Sequence, residues 1–191
     1  MNLFSFLGIK VQHNFFEKNY CNTLVNAMQF ANKQKARIRQ QGKGIEDETI
    51  RNTYRVNLAA DILEDCHRKI RLDLKPNLEA FFKTKFTHIQ PLEFLSYDAG
   101  HFFKPHIDII PEKNKRKVSV VIFLNQQGNA KNEADYGGGN LCLYGLRKNF
   151  PNQGLAIPNT QGLMVAFKSD VLHEVTPVEW GNRCSLVVWL E

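Results

Sequence analysis

PLEFLSYDAGHFFKPHID, residues 91–108, is where the chain changes its period. Upstream, apolar side chains recur every three or four residues. From Pro91 on they come in short alternating or continuous runs broken by Gly, Pro and Asn, the pattern of strands whose side chains leave opposite faces in turn. The runs are LEFLSY (92–97), HFFKPHID (101–108), KVSVVIFL (117–124), GGGNLCLYG (137–145), GLMVAFK (162–168), HEVTPV (173–178) and RCSLVVWL (183–190). Seven or eight short strands at this spacing predict a β-sandwich or barrel.

Ahead of Pro91 the helix period dominates. Cys21, Leu24, Val25, Met28 and Ala31 make one apolar face after an entry at Asn14, and Val56, Ala59, Leu63, Cys66 and Ile70 suggest a second helix. Pro76 is placed to begin a third, carrying Leu78, Phe81 and Phe82. Gln40 to Glu48, rich in Gly and charge, reads as a loop. The expectation is an α+β protein in which 1–191 is a single domain. Residues 1–90 supply mainly helical support, packed on one sheet of a core formed by 91–191.

A chain of 191 residues, 43% hydrophobic and 23% charged, can bury a full core. Its start, MNLFSFLGIK, lacks a basic head and a long apolar run, and no stretch approaches the roughly 20 apolar residues a membrane helix needs. The chain is therefore expected to be soluble and cytoplasmic, with no membrane partner. Cys21, Cys66, Cys142 and Cys184 are widely spaced with no CxxC pair, which speaks for free thiols over a zinc knuckle or a disulfide scaffold. The net charge of +6 gathers at Lys33, Lys35, Arg37 and Arg39 and again at Lys113, Lys115, Arg116 and Lys117. Aromatic residues are not interleaved with these charges, so the stacking half of a single-strand nucleic-acid surface is missing.

His106 and Asp108 are separated by one residue in an extended stretch, so both side chains leave the same face and can converge on one ion. Alone, an HxD pair is weak evidence, because a hydrogen-bonded histidine beside a turn aspartate looks the same. His173 opens a later strand, and Arg183 follows it by ten residues. Two imidazoles and one carboxylate make the facial triad of non-haem Fe(II) oxygenases, which leaves three positions open for cosubstrate and O₂. A guanidinium grips a carboxylate through two parallel hydrogen bonds, which gives Arg183 the far end of 2-oxoglutarate. Ser185 shares its strand face and can donate to the same group. His101 stands at odd spacing from His106 and is left out of the ligand set, and His13, His67 and His88 have no partners at ligand spacing.

The stretch from Leu92 to Leu190 resembles the catalytic core of the prolyl 4-hydroxylase-like group of Fe(II)/2-oxoglutarate dioxygenases. The matching pieces are Tyr97 to Gly100, PHID, VVIFLN, GGGNLCLY, GLMVAFKSD, HEVTP and NRCSLVVWL, in that order. The resemblance implies a double-stranded β-helix, a jelly-roll, with His106, Asp108 and His173 as iron ligands and Arg183 as the 2-oxoglutarate anchor. It places Tyr97 at a tyrosine that touches the cosubstrate, although a buried core tyrosine would read alike. Trp189 either walls the pocket or is plain core. The chain departs from the hypoxia-sensing branch at Phe103 and Phe123, where that branch has tyrosines, which makes Ser185 the better second contact to the far carboxylate.

What the resemblance implies about chemistry is hydroxylation of a C–H bond coupled to decarboxylation of 2-oxoglutarate, with Fe(II) as cofactor, O₂ consumed with 2-oxoglutarate, and ascorbate as an auxiliary reductant. Asp108 occupies the place that is a small residue in the iron halogenases. Nucleic-acid demethylases carry a second arginine where this chain has Trp189, so the expected substrate is a prolyl or other residue of a peptide or protein, with no nucleic acid. Two rivals stay open: a hydroxylase of a free amino acid or other small molecule, and a non-catalytic jelly-roll that binds a metal or peptide. The polar stretch Gln126 to Tyr136, with the apparently flexible GGG after it, reads either as a lid or as a plain hairpin loop.

Overall fold

The computed structural model describes residues 3–40, 43–109, 115–131, 134–147, 149 and 151–191. In chain order the elements are α1 (Leu3–Phe6), β1 (Lys10–Gln12), α2 (Lys18–Phe30), β2 (Asn32–Lys35), β3 (Ile38–Gln40), β4 (Lys43–Ile45), β5 (Arg51–Asn52), β6 (Tyr54–Asn57), α3 (Ala60–Lys69), a π-helical turn (Ile70–Leu74) and α4 (Lys75–Phe82). The second half holds β7 (Glu93–Asp98), β8 (Phe102–His106), β9 (Val118–Phe123), β10 (Tyr136–Gly138), β11 (Leu141–Leu143), β12 (Leu155–Ile157), β13 (Met164–Lys168), β14 (His173–Val175) and β15 (Val178–Leu190).

Two antiparallel sheets face each other. The larger is eight-stranded, in the order β1-β13-β9-β15-β7-β6-β2 with β10 added on β15, and the smaller is β12-β11-β14-β8-β5. This is the jelly-roll of the double-stranded β-helix, with the helices on the outer face of the larger sheet. Strand alternation decides which side chain goes where. On β9, Val118, Val120 and Ile122 join α2, α3 and α4 in one core, while Val121 and Phe123 join Leu141, Leu143 and Ile157 in a second core between the sheets. β15 divides likewise: Cys184, Leu186, Val188 and Leu190 face the helices. That sends Arg183, Ser185, Val187 and Trp189 into the space between the sheets.

The helical layer differs from the sequence expectation in two places. α2 buries Cys21, Leu24 and Met28 as expected but begins at Lys18, because Asn14 takes a positive φ of 51° in the turn before it. Val56 belongs to β6, not to the second helix. There its β-branched side chain pairs with Lys33 of β2 and Phe94 of β7. The helix proper starts at Ala60 and runs through the π-turn into α4. Cys66, Ile70, Leu74 and Leu78 are all fully buried at steps of four. Each such step overshoots a 3.6-residue turn by about 40°, so a regular helix would wind the row off the sheet. The wider π-turn between them returns it to one face.

The first ninety residues are thus not only helical support. β1, β2 and β6 extend the larger sheet, β5 extends the smaller one, and β3 with β4 makes a hairpin in the segment read as a loop. All four cysteines are free. No helix among the described residues is long and apolar enough to cross a membrane.

Candidate metal centre

β8 and β14 pair so that His106 and His173 stand directly opposite each other. Asp108 lies just past the end of β8, where its backbone N–H bonds Ser169 O at 2.9 Å. This turns its carboxylate back toward the two rings. One ligand atom from each of the three lies within 4.8 Å of the others. His173 Nε2 is 3.5 Å from Asp108 Oδ2, and His106 Nε2 is 3.9 Å from Asp108 Oδ1.

The surroundings fix which nitrogen points inward. Each ring's Nδ1 meets the carbonyl two residues back, His106 with Lys104 O at 2.8 Å and His173 with Val171 O at 2.9 Å. A carbonyl only accepts, so Nδ1 carries the proton and Nε2 offers a lone pair. Phe103 stacks on His106 with ring centroids 3.5 Å apart, and Phe167 meets His173 edge-on at 4.9 Å. Burial, then the neighbouring His173, holds His106 well below the usual imidazole range, so it stays neutral. Burial would raise the Asp108 carboxyl, but His173, His106, the Ser119 hydroxyl and the Trp189 indole together hold it below its ordinary value. Ser119 Oγ, on the larger sheet, donates to Asp108 Oδ2 at 2.6 Å and also meets Ser169 Oγ at 3.0 Å. Two imidazoles and one carboxylate fit a divalent first-row metal.

Also between the sheets, Arg183 is 1% exposed, and no carboxylate lies within ion-pair distance of it among the described residues. Its Nη1 donates to Ser185 Oγ at 3.0 Å, its Nε has no partner, and its guanidinium sits 5.0 Å from the Tyr97 ring and 5.3 Å from the Phe123 ring. A buried guanidinium without an acid is costly, by several kcal/mol for an uncompensated charge. An anionic ligand is the natural complement. Accepting from Arg183 also leaves the Ser185 hydroxyl proton free for such a ligand.

The structure brings His106, Asp108 and His173 together and puts Arg183, Ser185 and Tyr97 side by side between the sheets. It leaves His101 apart, beside Tyr54 at 5.3 Å between rings. Trp189 is 8% exposed and carries Arg116 stacked 3.7 Å above its ring. Arg116, counted among exposed charges in the sequence, also reaches Asp108 O at 3.4 Å. Its neighbour Lys113 lies outside the described residues.

Two polar side chains in this cavity escaped the sequence reading, Tyr136 and Asn159. Both are buried, and Tyr136 Oη and Asn159 Oδ1 lack hydrogen-bond partners. The signal was the glycine run itself. GGG is not a flexible approach: a Cβ on Gly137 would stand 2.2 Å from Trp180 Nε1, and one on Gly139 3.0 Å from Arg183 Cδ and 3.6 Å from the Tyr136 ring. Gly139 lets Tyr136 and Arg183 close on each other, and Gly137 makes room for Trp180. As for a lid over Gln126 to Tyr136, residues 132–133 lie outside the described residues, and Tyr136 itself is fully buried.

A family model described as the 2OG-Fe(II) oxygenase superfamily matches residues 92–191. PKHD-type hydroxylases of Paracoccus denitrificans and Paraburkholderia phytofirmans are each 30% identical to the chain, over 111 and 112 residues, or 54% of it. The match spans only 44% and 43% of those relatives' lengths. Among solved structures, a Pseudomonas putida prolyl-4-hydroxylase superposes with a TM-score of 0.71 at 21% identity, covering 96% of this chain and 92% of that one. A Trichoplax adhaerens prolyl hydroxylase in complex with a hypoxia inducible factor oxygen degradation domain peptide fragment gives 0.71 at 19%, covering 98% and 84%. At these identities the superpositions speak to the fold.

Proposed function

Because the chain belongs to the 2OG-Fe(II) oxygenase superfamily, we propose that it is an Fe(II)- and 2-oxoglutarate-dependent hydroxylase of a prolyl or other residue in a peptide or protein. In this reading His106, Asp108 and His173 hold the iron and Arg183 holds the far carboxylate of 2-oxoglutarate. The observation that carries it is the pairing of two features between the same two sheets: a cluster of two imidazoles and one carboxylate, and a fully buried guanidinium with no acid within ion-pair distance among the described residues.

Bound iron with 2-oxoglutarate and O₂ supplies the oxidising chemistry, releasing succinate and CO₂ as a substrate C–H bond gains hydroxyl. The chain's residues do the rest. His106 and His173 present Nε2 lone pairs held by their own backbone carbonyls, and Ser119 orients the Asp108 carboxylate. Arg183, leaning along β15 toward Ser185, aligns the cosubstrate between the anchor and the metal cluster. The Tyr97 and Phe123 rings under the guanidinium, and Phe103 and Phe167 against the imidazoles, keep water away from both charged ends.

A peptide substrate is supported by the rim of the site. Ile107, between His106 and Asp108, and Leu172, just before His173, are 47% and 41% exposed, so the segments that carry the three candidate ligands also offer apolar surface. Lys104 and Lys115 are exposed on the flanking segments and favour acidic sequences. The test is succinate release with Fe(II), 2-oxoglutarate and ascorbate, offered proline-containing peptides, free amino acids and alkylated oligonucleotides. Hydroxylation of a peptide, weakening as salt screens charges beyond about 10 Å near 0.1 M, is the expected result. Turnover confined to a free amino acid would overturn the peptide assignment. No succinate with any substrate, from protein that binds Fe(II), would favour a non-catalytic binding module.

A further inference from the structure

Arg183 is one donor to the far carboxylate, and a carboxylate oxygen has room for more. On β9, Phe123 stands opposite Ser185 and offers the anchor a ring without a hydroxyl. A phenol reaches the anchor from another strand. Tyr136 on β10 is 0% exposed, and both its ring and the Arg183 side chain lie against the open side of Gly139. β10 pairs with the start of β15, Tyr136 opposite Gly181, which sets the phenol beside the strand that carries the anchor.

The hydrogen bonds around this phenol are incomplete in a specific way. Tyr136 Oη and Arg183 Nε are both buried and meet no protein partner in good hydrogen-bond geometry; Arg183 and Asn159 lie close enough to donate toward the phenol oxygen, which leaves its O–H proton as the one still to be given away. Asn159, pinned by its amide N–H to Gly139 O at 3.2 Å, closes the same corner. A buried O–H left to donate beside a guanidinium is matched by an acceptor that carries negative charge.

We infer that the Tyr136 hydroxyl is a second donor to the far carboxylate of 2-oxoglutarate, beside Arg183, and that it sharpens selection for a dicarboxylic cosubstrate. This rests on the reading of the cavity as a 2-oxoglutarate site and adds a residue to it. The phenol is suited to the task because burial raises its pKa, against the pull of Arg183, and keeps the proton on the oxygen. The role is one of binding and orientation at the end of the cosubstrate away from the metal.

The experiment compares wild type, Tyr136→Phe and the double variant Tyr136→Phe/Phe123→Tyr, each loaded with Mn(II) and titrated calorimetrically with 2-oxoglutarate and, separately, with oxalate. Oxalate can chelate a metal but has no far carboxylate. Tyr136→Phe removes one oxygen and keeps the ring, so packing is retained. Loss of a hydrogen bond to a charged group should raise the 2-oxoglutarate Kd about tenfold, with the oxalate Kd unchanged. The double variant should regain much of the affinity, since it returns a hydroxyl to the anchor from β9, and a merely structural role for Tyr136 would give no such rescue. Equal 2-oxoglutarate affinity in wild type and Tyr136→Phe overturns the inference, as does an equal loss for both ligands. Wild type that binds Mn(II) and oxalate but not 2-oxoglutarate overturns the functional reading itself, and the inference with it.

Discussion

The two ends of the cavity are built on opposite principles. At the metal end each candidate ligand is already held: the imidazoles by Lys104 O and Val171 O, the carboxylate by Ser119, and the Asp108 backbone by Ser169 O. At the anchor end Arg183 Nε, Tyr136 Oη and Asn159 Oδ1 have no hydrogen-bond partner within the protein. The first end is preorganised by the fold. The second holds a buried guanidinium without an acid, which an anionic ligand would complement, so stability and function should respond together at one end and pull apart at the other.

Four measurements can break or sharpen that contrast. His106→Ala, Asp108→Ala or His173→Ala should each abolish stoichiometric Fe(II) binding and turnover, a loss beyond the roughly 10–100-fold that removing an outer partner costs. Unchanged iron content in all three would end the assignment. Arg183→Ala should weaken 2-oxoglutarate by about 2–5 kcal/mol while iron content holds. Arg183→Lys should recover only part, because an ammonium has no fork. Titrating each ligand separately in the same preparations checks the split. Ser119→Ala should lower iron affinity roughly 10–100-fold and leave the affinity for 2-oxoglutarate relative to iron-loaded protein nearly intact. A dominant effect on 2-oxoglutarate would show that the ends are not separable. The smallest effect has the opposite sign: Arg183→Met should raise ligand-free stability by about 1 kcal/mol, since an apolar chain replaces a buried, unpaired charge. Urea denaturation with and without 2-oxoglutarate tests it, because wild type alone should gain stability from the ligand.

The sequence shows the metal end more clearly than the anchor end, for a physical reason. An HxD pair in an extended stretch has fixed parity, and an arginine two residues from a serine shares its face whatever the sheet does. His106, Asp108, Arg183 and Ser185 could be placed by local geometry. Tyr136 and Asn159 reach the cavity from a short strand and a loop whose path depends on contacts with Trp180, Pro177 and Gly139. No periodicity records those contacts. The same limit explains β2 and β5: NKQK and RN carry no alternation of apolar residues, and they become strands because β6 and β8 offer them open edges. Val56 was drawn into a helical pattern because a lone apolar residue ahead of a helix fits either period.

Past the irregularity at Gly181, β15 carries the helix-facing core on one set of parities and the wall between the sheets on the other, from Arg183 to Leu190. Such a strand behaves like a reading frame of two. Gain or loss of a single residue between Arg183 and Leu190 would slide Cys184, Leu186 and Val188 into the polar cavity or drive Trp189 into the oil under the helices. Substitution can therefore explore either face freely while length cannot drift. In descendants of this chain the interval from Arg183 to Trp189 should stay even, changing by pairs if it changes at all.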